Sequence, residues 1–307
     1  MNIYEQIGAN RRSTWIFICL FIAFFLFIGF GFDYLYGVGE GVPMFTLIAL
    51  IFGIVTSVSS FYFGDALILS STHARAIDPS DPQQQQWQNV IQEMSIAGGL
   101  PLPKAYVIDD PDPNAFATGR DPEHSSIVAT RGLLSTLNRD ELQAVAAHEM
   151  SHIKNFDIRL MLVISVLVGS VALLADWASR SMFRRGRRSR DSGAGVIILV
   201  IWLVTIILAP ILSQLIAMSV SRKREYLADA TGAELTRNPL ALASALEKIS
   251  AKAEPTHSIN QGSAHLCIAD PKGSKMGLRE GWAADLFATH PPIAKRIDIL
   301  KQMAYLK

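Results

Sequence analysis

The sequence predicts an α-helical membrane protein that carries an α+β domain, with about four hydrophobic segments and a small β-sheet beside one histidine-bearing helix. Three observations predict it. Of the 307 residues 50% are hydrophobic and the mean hydropathy is +0.27, yet 18% are charged, so apolar segments and a folded polar domain share one chain. Uncharged apolar runs stand at 13–32, 41–64, 160–175 and 192–221. Between the second and third of them lies His-Glu-Met-Ser-His, residues 148–152.

A polar head, 1–12, ends in Arg11-Arg12. The run 13–32 is long enough, at about 20 residues, to cross a bilayer. A signal peptide is the alternative, but no A-x-A-like cleavage site follows, and the run reads as an anchor. The link 33–43 holds Asp33 and Glu40 but no Lys or Arg, so the positive-inside rule puts the N-terminus in the cytoplasm. The second run, 41–64, brings the chain back.

Residues 71–159 form the first part of the polar domain. Asp-Pro-Ser-Asp-Pro leads into a helix predicted from about Gln86 to Ile96, ended by Gly98-Gly99. Strands are predicted at 104–109, 113–119 and 125–130, the last two joined by Arg-Asp-Pro-Glu-His. Asn138 with Glu141 three residues on predicts a capping box that opens a helix through the histidines. Leu142, Val145 and Ala146 give this helix an apolar side, and Lys154, Asp157 and Arg159 bring charge back. Such flanks place it in water or at the membrane border.

The run 160–175 is short. Residues 176–191 carry Arg180, Arg184, Arg185, Arg187, Arg188 and Arg190, and 192–221 contains Pro210 and Gln214. Two readings of this hairpin fit: it spans, against the positive-inside rule, or it dips in without crossing. Its arginines suit anionic lipid headgroups. They lack the interleaved aromatics of a nucleic-acid surface, and the net charge of +1 also speaks against such a partner. The second part of the domain, 222–307, has Asn238-Pro239 opening a helix to about Lys252, a loop or lid over 254–288, and a last helix after Thr289-His290-Pro291-Pro292. Ile293, Ile297 and Leu300 share one face of it. Cys19 and Cys267 are too unlike in setting to pair, and neither has metal-site spacing.

The chemistry lies in H-E-x-x-H. Positions i and i+4 of a helix share a face, so His148 and His152 can hold one Zn²⁺ while Glu149 takes a proton from water. A third protein ligand is needed. Glu225 and Asp229 are again at i and i+4; Glu225 is the candidate ligand, and Asp229 a candidate to accept the outer N–H of a ligand histidine. His290 is a candidate for oxyanion stabilisation, with a plain capping role as the alternative, and Arg296 a candidate to order the site by pairing with an acidic ligand.

Four segments in order are Asn-Ala-Phe-Ala-Thr-Gly (114–119), His-Glu-Met-Ser-His (148–152), Arg-Glu-Tyr-Leu-Ala-Asp (224–229) and Thr-His-Pro-Pro-Ile-Ala-Lys-Arg-Ile (289–297). This set resembles the HtpX-type membrane zinc metalloproteases, relatives of the CAAX prenyl proteases, and the resemblance covers nearly the whole chain. It implies a zincin-like metalloprotease domain with one Zn²⁺ per chain and an active site on the cytoplasmic side of a bacterial-type membrane. It further implies a quality-control role on misfolded or damaged membrane proteins, beside other membrane quality-control proteases. It also places Asn114, Ala115, Phe116 and Ala117 on a sheet edge to which an extended substrate adds as a strand. Two rival readings are a prenyl-peptide processing enzyme, which needs an enclosed intramembrane chamber, and a catalytically silent membrane scaffold.

Overall fold

A computed structural model describes residues 3–35, 42–167, 169–170, 222–252, 266–268 and 291–305. The Arg-rich linker 176–191, the run 192–221, His290 and most of the expected loop 254–288 lie outside the described residues.

The first two helices are longer than their uncharged runs. Helix α1 covers Ile3–Leu35 and α2 covers Met44–Ser71, and each is long and apolar enough to cross a membrane. Polar residues next to the uncharged runs are drawn into the helices: Asn10 and Arg11 belong to α1, and Asp65 to α2. Pro43 gives α2 no side-chain cap. Asp33 replaces it from across the connection, accepting from the N–H of Phe45 (3.0 Å) and of Thr46 (2.8 Å) and from the Thr46 hydroxyl (2.6 Å). The helices touch at Gly29, where a Cβ would meet the Phe45 carbonyl oxygen at 2.7 Å. Phe27, Phe30, Ile48, Ile51, Val55 and Phe63 are exposed, an outer surface suited to lipid. The third run begins as a helix over 157–167, and its Val163 and Leu167 pack on Ile18, Phe21 and Phe25 of α1.

After α2 the chain forms a mixed sheet of order β1-β2-β4-β3: β1 (Arg75–Ala76), β2 (Lys104–Ile108), β3 (Ala115–Asp121) and β4 (His124–Thr130). The two-residue β1 was not foreseen, being too short to carry an alternating pattern. Strand β2 runs parallel to β4, and β3 antiparallel to it, Ala117 facing Ile127. The β3–β4 connection is tighter than the expected five-residue loop. Gly119 adopts a φ of 139° beside a register shift, and the Asp121 carboxylate accepts the His124 N–H (2.8 Å), leaving only Pro122-Glu123 to turn. Helix α3 (Pro82–Gly98) starts earlier than predicted. Asp81 accepts from the N–H groups of Gln83 and Gln84, and Pro82 takes the first helical position, so the expected turn is already a cap. The short α4 (Arg131–Thr136), capped by Thr130, also carried no sequence signal of its own.

Helix α5 (Arg139–Lys154) opens with the predicted capping box: Asn138 Oδ1 accepts the Glu141 N–H (3.0 Å) and Glu141 accepts the Asn138 N–H (2.8 Å). Its setting differs from expectation. Most of the helix between Glu141 and Ile153 is buried, because α3, β3, α6 (Arg222–Thr236) and α7 (Pro239–Lys252) surround it. The flanking charges are partnered: Glu141 takes hydrogen bonds from Ser244 (2.7 Å) and Lys248 (2.7 Å) of α7. The last helix, α8 (Ile293–Tyr305), packs on α7, burying Leu300 and Arg296 completely.

Candidate metal centre

Two helices build the site. Helix α5 presents His148, Glu149 and His152, and α6 presents Glu225 and Asp229; all five are buried. The approach is set by Gly232, at which a Cβ would lie 3.1 Å from the His148 backbone nitrogen. With so little space between the helices, the His148 and His152 Nε2 atoms stand 3.2 Å apart. Glu225 Oε1 is 3.6 Å from His152 Nε2 and Oε2 is 3.9 Å from His148 Nε2. One atom from each of the three residues falls within 4.8 Å of the others.

This spacing matches a tetrahedral ion. Bonds of about 2.0–2.1 Å to nitrogen and oxygen hold neighbouring ligand atoms about 3.3 Å apart. The charges match as well. With both histidines neutral, as metal ligands must be, four buried carboxylates (Glu149, Asp157, Glu225, Asp229) meet two buried guanidiniums (Arg224, Arg296), a deficit of two positive charges at the site. Glu149 Oε2 has no hydrogen-bond partner although it is buried, a position that suits a small polar guest.

The outer nitrogens of both histidines face carboxylates. His148 Nδ1 lies 3.0 Å from Asp229 Oδ1, close but not aligned as a hydrogen bond. Arg296 holds Asp229 from two sides, Nε to Oδ2 at 2.8 Å and Nη2 to Oδ1 at 2.7 Å. Its Nη1 lies 3.6 Å from Glu225 and donates to the Ile268 carbonyl at 3.1 Å. The paired partner of Arg296 is thus Asp229 first and Glu225 second. His152 Nδ1 lies 3.0 Å from Asp157 Oδ2.

Burial and neighbours set the protonation. Burial pulls the His148 ring down against the pull of Asp229. For His152 burial acts downward too, but the Asp157 hydrogen bond and the Glu225 charge outweigh it and push the pKa up to about 9. Glu149 is raised to about 7, chiefly by burial and further by Glu225. Asp229 falls to about 2, since Arg296 and His148 overcome its desolvation.

Strand β3 passes beside Glu149, which accepts the Ala117 N–H. Ala115, Phe116 and Ala117 are buried in place, and the outer edge of β3 is engaged: Phe116 bridges Cys267 in antiparallel sense, and the Ile268 N–H donates to the Ala115 carbonyl (2.9 Å). Asn114 turns inward, its Oδ1 accepting the Ala115 N–H (3.0 Å). Sequence reasoning missed Asp157 and Arg224. In the sequence Asp157 is one of the charges that return after the apolar side of α5, and a carboxylate five residues past His152 is the available signal. Arg224 directly precedes Glu225 and carried none.

Gly232→Val is expected to part α6 from α5, costing about 1–3 kcal/mol as overpacking does. Thermal unfolding of the metal-free protein measures it, and an unchanged melting temperature would show that the helix approach tolerates a side chain.

A family model, Peptidase family M48, matches residues 81–304. A "Protease HtpX homolog" of Caldanaerobacter subterraneus subsp. tengcongensis is 41% identical over 98% of this chain and 98% of its own. Proteins of the same description from Dictyoglomus turgidum (40% identical, 98% and 95% covered) and Streptococcus gordonii (38%, 98% and 100%) are similarly close. Among solved structures, that of S. mikatae Ste24p shares the fold with a TM-score of 0.53 at 17% identity, over 97% of this chain and 67% of the other. Matched along nearly its whole length, and built around a cluster able to hold a metal ion, this chain belongs to peptidase family M48, as a membrane metalloprotease.

Proposed function

We propose that the chain is a zinc endopeptidase which cuts misfolded or damaged membrane proteins at the cytoplasmic face of a bacterial-type membrane, as part of a stress response. The observation that carries this is the convergence of His148, His152 and Glu225 within 4.8 Å, with the unpartnered Glu149 oxygen beside them. His148 and His152 through Nε2, and Glu225 through its carboxylate, would hold the ion. When bound, zinc supplies a Lewis acid that polarises the scissile carbonyl and lowers the pKa of a water to about 7.

The chain's own residues do the rest. Glu149, its pKa raised to about 7, takes the water's proton and returns it to the leaving amine. Asp157, by its hydrogen bond to His152, and Asp229, by its charge 3.0 Å from His148 Nδ1, favour the tautomers that direct both Nε2 atoms inward. Arg296 keeps Asp229 ionised and in place. An extended substrate would add to the outer edge of β3 along Asn114–Ala117 by taking the place of the 266–268 segment, which pairs there in antiparallel sense at Ala115 and Phe116. The distribution of charge supports the cytoplasmic side. Arg11 and Arg12 mark the end of α1 nearest the site, and Arg159, Arg11 and Arg120 lie over the rings of Phe61, Phe156 and Tyr62 at that end of the hairpin. Purified protein in vesicles, given a model membrane protein, should contain one zinc and cleave it. Zinc without cleavage of any membrane protein would sink the proteolytic reading, and absence of zinc the metal one.

Glu149→Gln should keep fold and zinc but lose at least about 10²–10⁴-fold in turnover, since an amide cannot accept the proton. His148→Ala should lose zinc as well. Near-normal turnover by zinc-loaded Glu149→Gln would remove the proposed base.

Glu225→Gln should lose both zinc and activity, whereas Asp229→Asn should cost about 10–100-fold in affinity or activity. Full zinc occupancy in Glu225→Gln, read by elemental analysis, would exclude Glu225 as a ligand.

Zinc and a proton compete for His152, whose metal-free pKa is about 9. The raised pKa means the ring holds its proton at neutral pH and releases it on metal binding. Zinc affinity should therefore rise about tenfold per pH unit towards about pH 9 and level off above it. Chelator competition across that range tests this, and a pH-independent affinity would mean that the His152 ring carries no proton for zinc to displace.

A further inference from the structure

The polar network behind His152 does not stop within the protease domain. Phe156 adopts a φ of 59°, a conformation that bulky side chains rarely accept, and turns the chain between α5 and the helix beginning at 157. The turn swings Asp157 back under His152. With Oδ2 on His152 Nδ1 at 3.0 Å, the other oxygen, Oδ1, accepts from Asn10 Nδ2 at 2.6 Å. The same Nδ2 donates to the Asn155 carbonyl at 2.9 Å. Asn10 Oδ1 in turn accepts from Arg224 Nη1 at 3.1 Å, and Arg224 Nε lies 3.7 Å from Asp157 Oδ1. Asn10, Asp157 and Arg224 are 4%, 0% and 8% exposed.

Asn10 belongs to α1, just ahead of the run that enters the bilayer. An amide carries a donor and an acceptor side by side, so this one neutral side chain can donate to the carboxylate and accept from the guanidinium. Held this way, the Asp157 carboxylate cannot rotate away from His152, and Arg224 is pinned next to Glu225 in sequence. One side chain of the first membrane helix thus braces both halves of the centre.

Resting on the zinc reading above, we infer that Asn10 is a positioning residue of the metal centre: acting through Asp157 and Arg224, it makes high zinc affinity depend on α1 being docked against the protease domain. Deletion of a partner that orients a ligand histidine typically costs about 10–100-fold in metal affinity. Asn10→Leu keeps the bulk but none of the three hydrogen bonds, and should weaken zinc binding by about that factor. It should also alter the visible absorption of the cobalt(II)-loaded protein, a signature of ligand geometry that loss of packing elsewhere leaves alone.

The experiment uses the full chain in detergent, with zinc affinity read by chelator competition in the parent, Asn10→Leu, Asp157→Asn and the double variant. Because Asn10 acts through Asp157, its substitution should cost little more once Asp157→Asn is present. Circular dichroism of the metal-free proteins reports folding, and Asn10→Ser, too short to span both partners, carries the same test if the leucine variant does not fold. Parent-like affinity and cobalt spectrum in the Asn10 variants overturn the inference, as do losses that multiply fully in the double variant. A parent that takes up no zinc overturns the zinc reading first and this inference with it.

Discussion

The close approach of α6 to α5 at Gly232 is the constraint on which the rest of the centre depends. A side chain there would stand against the backbone of His148, so the absence of one lets Glu225 and Asp229 come within reach of both imidazoles. The packing that achieves this also strips water from every ionised group involved. Charges buried this deeply are tolerated only when paired and hydrogen-bonded, and removing one partner of such a pair costs about 3–5 kcal/mol. The fork between Arg296 and Asp229 meets that requirement on one side of the site.

The two histidines are supported from opposite ends of the chain. His148 leans on Asp229, which is held by Arg296 of α8, the last helix. His152 leans on Asp157, which is held by Asn10 of α1, the first. Neither support comes from α5 itself, whose own surface is occupied by core contacts with α3, β3 and α7. The centre is thus a closure point for the whole molecule: it is complete only when both ends have packed. The raised pKa values of His152 and Glu149 express the remaining charge deficit, since protons are drawn in where a dication would fit.

Strand β3 links this centre to peptide recognition. Its Ala117 N–H favours the ionised form of the Glu149 carboxylate, one oxygen of which has no hydrogen-bond partner. The neighbouring Ala115 carbonyl accepts the Ile268 N–H at the outer edge, where buried Phe116 bridges Cys267. The residue that receives the water's proton and the edge proposed to receive the substrate are therefore set by one strand, and the ladder with β4 keeps that strand from shifting.

Periodicity, capping chemistry and short motifs are local, and what they govern was legible in the sequence. Uncharged runs located α1 and α2, the Asn138–Glu141 pair opened α5, Asn238-Pro239 opened α7, and H-E-x-x-H with Glu225 and Asp229 named the groups that the fold gathers. Helix ends were misjudged where a cap overrode propensity, as at Asp81, and where Gly119 let a hairpin close more tightly. Tertiary structure alone decided the rest. That α5 is buried among α3, β3, α6 and α7, that Arg296 pairs with Asp229, and that Asn10 reaches Asp157 are contacts between residues far apart in the chain. No spacing rule encodes such contacts, because they arise only when the hydrophobic faces of α1, α5, α6 and α8 have been brought together out of water.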